Sequence, residues 1–331
     1  MCSGADRTGN KQQIKRHNTA LLKINGDTVF LSSATESQRN KQKITLPAQI
    51  NTVVAASNTN LKVGNGKPRQ LDMTAKPTDG RLVKDGLVFQ QNFTIRSFDM
   101  SSNFKISTEA LMNFLQETAL NHVRSIRILA DGFGSTRQMS KRNLIWVISQ
   151  LQIEVDCYSL WGDVIQIDTW MYASGKNGLG RDWHVRDFKT GKTLTRATGV
   201  YLMMDKTTRK VSRFIEEARK EINPFAIHCD PIIHNNGKLL KLDIEKADQV
   251  RTGLISVPHS VVESHELFAI TLEYRKECNR GSVLQSFSRI ISNNNEGMEF
   301  DHLLCLGGGQ EIMRGRTTWR PKYADSSIEK V

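Results

Sequence analysis

The chain has 331 residues, which is long enough for two domains that each bury a core. Its longest strongly apolar run, residues 144–148, is too short to span a bilayer, so we predict no transmembrane segment. The formal net charge is +12, but residues 1–80 carry +7 of it. The folded part therefore lacks the concentrated basic surface of nucleic-acid-binding proteins, and we predict no nucleic-acid partner.

Cysteine usage favours a reducing compartment. The five cysteines are Cys2, Cys157, Cys229, Cys278 and Cys305. They contain no C-x-x-C pair, so a disulfide framework is not expected. His228, Cys229 and His234 lie close together but lack a second pair of ligands, which favours an ordinary polar loop. The sequence predicts no metal and no cofactor.

The N-terminal residues 1–80 differ in composition from the rest of the chain. They contain one aromatic residue, Phe30, and are rich in Ser, Thr, Asn and Lys. Such a segment buries too little apolar surface to offset the entropy lost on ordering, which predicts a disordered tail. Its scarcity of acidic residues is also typical of organelle transit peptides. A plain extension and a transit peptide are both open on these grounds.

The next region predicts one long helix followed by an antiparallel sheet. Alternation at 87–98 predicts a strand, and apolar spacing from Thr108 to Ala130 predicts a helix that the glycine-rich residues 131–134 terminate. Four further strands are predicted at 143–156, 163–172, 179–188 and 193–204. A short helix is expected at 214–222, then a linker at 223–245. The fold class is α+β, with the first domain spanning 81–222.

The second half repeats the first. The stretch that begins at Gly162, GDVIQ, has an echo that begins at Gly281, GSVLQ. Arg196 follows the first by 34 residues, and Arg314 follows the second by 33. Strands are predicted at 267–277, 282–292, 298–306 and 311–320. Duplication of one fold unit is the simplest explanation, which gives a second domain at 246–322 and a short tail at 323–331.

The repeat predicts a missing element in the second domain. The segment that should contain its central helix, residues 242–264, is interrupted by Gly253 and Pro258. Residues 242–252 have room for three turns at most. A central helix buries about eight apolar side chains at about 1.5–3 kcal/mol each. The second domain is therefore expected to be unstable unless another segment or chain covers its sheet.

Several stretches of this sequence resemble plant acyl-ACP thioesterases, which release fatty acyl chains from acyl carrier protein (ACP) in plastids. They cover about residues 80–322, and the most specific ones are RLVKDGLVFQQNFTIRSFD, DGFGSTRQMSKRNLIWV, SGKNGLGRDWHVRD, LEYRKECNRGSVLQS and RGRTTWRPK. The resemblance is greatest to the branch that prefers saturated acyl chains. It implies a tandem hot-dog fold, in which an antiparallel sheet wraps a long helix twice, and it agrees with the repeat.

The resemblance assigns the active site to Cys278 and Glu277. In this family the Cys either needs a base beside it or gives way to a water molecule that a carboxylate activates. The family supplies the base from an Asp-x-Asn-x-His cluster on the second central helix, and that cluster is absent here. The sequence passes from residues 253–256 directly to Val257 and Pro258, which match the residues just after that helix in the family.

No other histidine is an obvious substitute. Asn121 and His122 resemble the lost pair, but they lie in the first helix within ordinary family sequence. His259 and His265 are nearer to Cys278 in sequence and remain candidates. Cys157, Cys229 and Cys305 are expected to be structural or surface thiols.

Three functions are consistent with this sequence. The chain is an impaired ACP-thioester hydrolase, a non-catalytic protein that binds acyl chains or a partner, or the product of an incomplete gene model of an active enzyme. The implied partner is ACP carrying a fatty acyl chain, a homodimer is an open alternative for assembly, and the implied location is the plastid stroma.

Overall fold

The structure is a computed structural model that describes residues 20–24, 27–31, 80–130, 134–234, 237–250, 257–279 and 282–322. Its α-helices are Thr108–Ser125 (α1), Arg137–Lys141 (α2), Glu216–Ile222 (α3) and His259–Ser264 (α4). Its strands are Ala20–Ile24 (β1), Asp27–Leu31 (β2), Arg81–Val83 (β3), Val88–Thr94 (β4), Leu144–Val155 (β5), Val164–Ser174 (β6), Gly178–Asp187 (β7), Thr193–Asp205 (β8), Val211–Ser212 (β9), Ala226–Ile227 (β10), Asp248–Val250 (β11), His265–Tyr274 (β12), Leu284–Asn294 (β13), Gly297–Leu306 (β14) and Glu311–Pro321 (β15).

The first unit consists of helix α1 and the strands that wrap around it. Ser107 caps the helix, since its hydroxyl accepts the backbone N–H of Ala110 at 3.0 Å. The indole Nε1 of Trp183 on β7 donates to the carbonyl of Leu115 at 2.9 Å, which holds the helix against the sheet. The prediction that α1 continues to Ala130 is wrong. The helix ends at Ser125 because Arg127 takes a left-handed φ of +58°, which helices do not contain.

One continuous sheet joins both units. Its order is β11-β13-β14-β15-β12-β5-β8-β7-β6-β4-β3, and short strands β9 and β10 pair with β8 and β6. The junction is the antiparallel pair of β12 with β5, in which Ile270 lies opposite Ile153. The order β6-β7-β8-β5 in the first unit corresponds to β13-β14-β15-β12 in the second. The predicted tandem hot-dog architecture of class α+β is confirmed by this topology.

The second unit has the predicted strands without a long helix in its described part. Between 226 and 322, the longest described α-helix is α4, which has six residues. Residues 251–256 lie outside the described residues. The apolar inner face of this sheet, which includes Phe300, Leu304 and Trp319, is nevertheless buried. These residues share one core with α1 and the first sheet.

The segment 223–245, predicted as a linker, packs across the outer face of the sheet. Strand β10 pairs in parallel with β6. The carboxylate of Asp182 accepts the backbone N–H of Ile232 at 2.8 Å and the hydroxyl of Thr198 at 2.8 Å. Further along, Leu242 packs against Leu303 on the outer face of the second sheet. The segment therefore fastens both units.

A short hairpin lies in the predicted tail. Strands β1 and β2 pair antiparallel, from Ala20 with Leu31 to Ile24 with Asp27. These ten residues differ from the expected absence of structure, since the sequence between the strands, Asn25-Gly26, is a strong hairpin signal. The rest of the disorder prediction for 1–80, apart from Gly80, lies outside the described residues. In the described part of the chain, no helix is long and apolar enough to cross a membrane.

Candidate active site

The loop that contains Cys278 follows strand β12 and is anchored where it begins. The backbone N–H groups of Arg275 and Lys276 both donate to the carbonyl of Ile312, at 2.8 and 3.2 Å. The backbone N–H of Asn279 donates to the hydroxyl of Ser282 at 3.1 Å. Glu277 and Cys278 lie between these two anchors, at the end of the sheet where β12 ends and β15 begins.

Cys278 is half-buried and packs against the shared core. Burial raises the pKa of its thiol above the ordinary value of 9.0, and the negative charge of Glu277 raises this pKa further. A reactive cysteine needs the opposite environment, since the thiolate is the nucleophile and a nearby cation or base must stabilise it. Among the described residues, no histidine forms a hydrogen bond with Cys278. The thiol is therefore predominantly protonated at neutral pH.

Glu277 is bound by an arginine of the first unit. Arg209 donates through Nε to Oε1 and Oε2 at 2.9 and 3.0 Å, and through Nη2 to Oε2 at 2.6 Å. Sequence reasoning missed this contact, because 68 residues separate the partners and neither residue lies in a recognisable motif. Both sequence-predicted site residues are therefore adjacent, but the carboxylate is held by a cation and the thiol has no described base.

The two candidate substitutes for the lost base lie at the wrong end of β12. His265 is the first residue of this ten-residue strand, and Cys278 follows its last residue by four. A ten-residue strand is about 30 Å long. His265 bonds to the hydroxyl of Ser264 at 2.8 Å, and His259 forms an exposed ion pair with Glu263. Neither imidazole can reach the thiol in this arrangement.

His122 is committed to the core of the first unit. Its Nδ1 accepts from Nη1 of Arg181 at 3.1 Å, and its ring stacks on Phe89. Burial, followed by the charge of Arg181, lowers the pKa of His122 to about 2. Burial also lowers the pKa of Arg181 to about 10. This pair supports helix α1 and lies away from the Cys278 loop in the chain, so His122 is not the missing base.

His302 marks the place of the absent helix. Its position follows Trp183 by 119 residues, the same spacing that separates Gly281 from Gly162. Trp319 Nε1 donates to the Thr317 hydroxyl at 2.9 Å, so that hydroxyl donates its own hydrogen to His302 Nε2 at 2.8 Å. The proton of the neutral ring is then on Nδ1, which is buried without a hydrogen-bond partner among the described residues.

The comparison of Trp183 with His302 explains this unpaired donor. In the first unit, the side chain at this position donates to a carbonyl of the central helix. In the second unit, the described residues contain no such helix to accept it. Burial lowers the pKa of His302 to about 3, so the ring is neutral at physiological pH. The buried polar atom is consistent with a sheet whose central helix has been lost.

No metal centre is found among these groups. In the described part of the chain, no cluster of three or more His, Cys, Asp or Glu side chains has an arrangement that could hold an ion. His228 and Cys229 line a shallow depression beside β10, together with Asp230. Burial raises the pKa of the Cys229 thiol, which gives no sign of a ligand thiolate.

Two family models match this chain. The model for the acyl-ACP thioesterase N-terminal domain matches residues 86–222, and the model for the C-terminal domain of the same family matches residues 254–321. The palmitoyl-acyl carrier protein thioesterases of Gossypium hirsutum and Arabidopsis thaliana, both named chloroplastic, are 44% and 41% identical to it. Those alignments cover 95% and 94% of this chain and 87% of each relative.

Solved structures show the same architecture. A 12:0-ACP thioesterase from Umbellularia californica aligns with a TM-score of 0.66 at 40% identity, covering 72% of this chain and 95% of that chain. An acyl-ACP thioesterase from Bacteroides thetaiotaomicron aligns with a TM-score of 0.59 at 19% identity, covering 71% of this chain and 99% of that chain, and supports the fold alone.

Proposed function

The chain belongs to the acyl-ACP thioesterase family, and from that premise we propose that it binds acyl chains carried on ACP but hydrolyses the thioester slowly. The first unit has its complete helix, sheet and core, so the part of the fold that encloses α1 is intact. The observation that carries the slow rate is the half-buried Cys278, whose pKa is raised and which has no described base.

The chemistry explains why this matters. Attack on a thioester carbonyl by Cys278 requires a thiolate, and attack by water requires a general base within hydrogen-bonding distance. Glu277 is the nearest carboxylate in sequence, but its oxygens accept hydrogen bonds from Arg209. Loss of one member of a coupled catalytic unit costs about 10⁴-fold or more in rate.

The test is hydrolysis of palmitoyl-ACP and dodecanoyl-ACP by the purified 331-residue protein. We expect turnover about 10⁴-fold below that of the cotton relative assayed in parallel. A second protein receives the relative's segment of about 25 residues between Ser256 and Val257, and should regain turnover. Rapid hydrolysis by the unaltered chain, abolished in Cys278→Ala, would contradict the proposal.

Binding is tested separately with an ACP that carries the acyl chain through an amide, which cannot be hydrolysed. Titration calorimetry should detect this ligand with the unaltered chain, and ACP without an acyl group should bind more weakly. Equal affinity for both ligands would exclude recognition of the acyl chain. It would favour a protein that binds ACP alone.

For location, we propose the plastid stroma. The support is the chloroplastic naming of the curated relatives and the acid-poor composition of residues 1–80. A fluorescent protein fused to residues 1–80 should be imported into plastids, and a fusion that stays cytosolic would contradict this. A homodimer remains a prediction that sedimentation of the purified protein can test.

A further inference from the structure

Arg209 connects the first unit to the loop that contains Cys278. It lies in the turn between β8 and β9, and its guanidinium makes three hydrogen bonds with the carboxylate of Glu277. Among the described residues, no other side chain bonds to Glu277. The side chains are 31% and 46% exposed, so solvent screens the pair in part. The value of this contact is therefore in geometry more than in stability.

The turn that presents Arg209 is constructed in detail. One carboxylate oxygen of Asp205 accepts the backbone N–H groups of Thr207 and Thr208, at 3.0 and 2.6 Å. Asn143, at the start of β5, donates from Nδ2 to the Thr207 hydroxyl at 2.7 Å. These bonds fix the turn against the sheet of the first unit. The position of Arg209 is thus set by the fold and not by its own side chain alone.

The backbone of Arg209 is strained. Its φ is +56°, a left-handed conformation that costs a non-glycine residue about 1–2 kcal/mol. Glycine would fit this position without that cost. A strained residue that persists in a well-bonded turn points to a role for its side chain. Here that side chain makes a bidentate contact across the boundary between the units.

The loop beyond β12 depends on this contact. The bonds of Arg275 and Lys276 to Ile312 fix the loop up to residue 276. Glu277 is exposed and would rotate freely without Arg209. Cys278 follows immediately and packs inward, so the orientation of Glu277 affects the field at the thiol.

We propose that Arg209 is a positioning residue, which orients Glu277 and offsets its charge so that Cys278 lies beside a neutralised carboxylate. This role rests on the proposed site at Cys278, and it concerns how that site is arranged rather than how fast it turns over. An unpaired Glu277 would disfavour the thiolate of Cys278 more strongly than a paired one. Arg209 therefore limits an unfavourable effect on the nucleophile.

The test is the rate at which iodoacetamide alkylates Cys278, followed by mass spectrometry of its peptide from pH 7 to pH 10 in the full chain. Arg209→Gln should slow alkylation at pH 8 about threefold, because half a pKa unit changes the thiolate fraction by that factor. Glu277→Gln should accelerate it. The double variant should match Glu277→Gln, since Arg209 acts only through that carboxylate.

Controls separate this role from general loosening of the fold. Arg209→Lys keeps the charge and should recover most of the parent rate, which a purely structural defect would not predict. Arg142→Gln removes another surface arginine that pairs with a carboxylate, Glu217, within the first unit, and should leave Cys278 unchanged. The Cys229 peptide serves as a reference for exposed thiols in the same digest.

An unchanged alkylation profile in Arg209→Gln would overturn the proposal. So would a double variant that differs from Glu277→Gln by the full effect of Arg209→Gln. Alkylation does not require turnover, so a chain that fails to hydrolyse acyl-ACP still gives a clear result. Conversely, fast hydrolysis with an altered thiol profile would reject the slow-rate proposal and retain this one.

Discussion

Two buried histidines predict that acid destabilises this protein. His122 and His302 are 0% and 2% exposed, and burial lowers their pKa values to about 2 and about 3. The ordinary pKa of histidine is about 6.5, so the unfolded chain binds protons at a pH where the folded chain does not. The stabilising contribution is therefore present above pH 6.5 and is lost as the pH falls from 6.5 toward the folded pKa.

The magnitude follows from linkage. Between pH 7.5 and pH 5.0, the unfolded state gains the free energy of protonation over about 1.5 pKa units, at 1.36 kcal/mol per unit. Each histidine then lowers the free energy of unfolding by about 2 kcal/mol, and the two together by about 4 kcal/mol. That is a large fraction of the 5–15 kcal/mol that is typical of a domain, so the effect should be plain in equilibrium unfolding.

The variants are chosen to keep the hydrogen bonds. His122→Asn places an amide oxygen near the former Nδ1, where it accepts from Arg181. His302→Gln places one near the former Nε2, where it accepts from Thr317. Urea unfolding, followed by tryptophan fluorescence at pH 7.5 and 5.0, should show each variant losing about 2 kcal/mol less than the parent on acidification.

Comparison at two pH values removes any constant cost of the substitutions. His259→Gln is the control, since His259 lies on α4 with 86% of its side chain exposed, and it should behave as the parent does. If His302→Gln shows the same pH dependence as the parent, the burial of His302 does not determine its protonation and the reasoning is wrong.

Two further substitutions test the fold. Gly180→Ala should lower the free energy of unfolding by about 1–3 kcal/mol, because its new methyl group would collide with the buried ring of Tyr172, whereas Gly308→Ala, whose surroundings are open, should cost much less; equal thermal shifts would contradict this. Tyr158→Phe removes the hydroxyl that donates to Leu267 at 2.7 Å across the two units and should cost about 0.5–1.5 kcal/mol in chemical denaturation, while an unchanged midpoint would show that the bond does not stabilise the junction.

The sequence was sufficient to predict the strands and the duplication. Alternation along 164–174 and 178–187 reflects one face against α1 and one face outward, and that period is visible without any tertiary information. The spacing of 119 residues between the repeats locates equivalent positions such as Trp183 and His302. The same spacing indicates the absent helix, because the segment equivalent to α1 is interrupted by Gly253 and Pro258.

Other features depend on contacts that no local pattern contains. The ion pair of Arg209 with Glu277 joins residues 68 apart, and the path of segment 223–245 depends on Asp182 in another strand. The end of α1 was missed because the apolar spacing continues past Ser125, while the left-handed backbone of Arg127 breaks the helix. In each case the deciding interaction is tertiary or conformational, so composition and periodicity could not reveal it.

The loss of a central helix affects chemistry and folding unequally in this chain. The sequence predicted a second unit too unstable to persist alone, since its sheet would expose an apolar face. The structure instead buries Phe300 and Trp319 in a core that continues through β12 and β5 to α1. Sharing one sheet lets the first unit stabilise the second, and the unpaired Nδ1 of His302 is a local cost. No comparable sharing is possible for catalysis, because a base acts only at hydrogen-bonding distance. A fold of this kind can therefore survive the deletion that removes its chemistry.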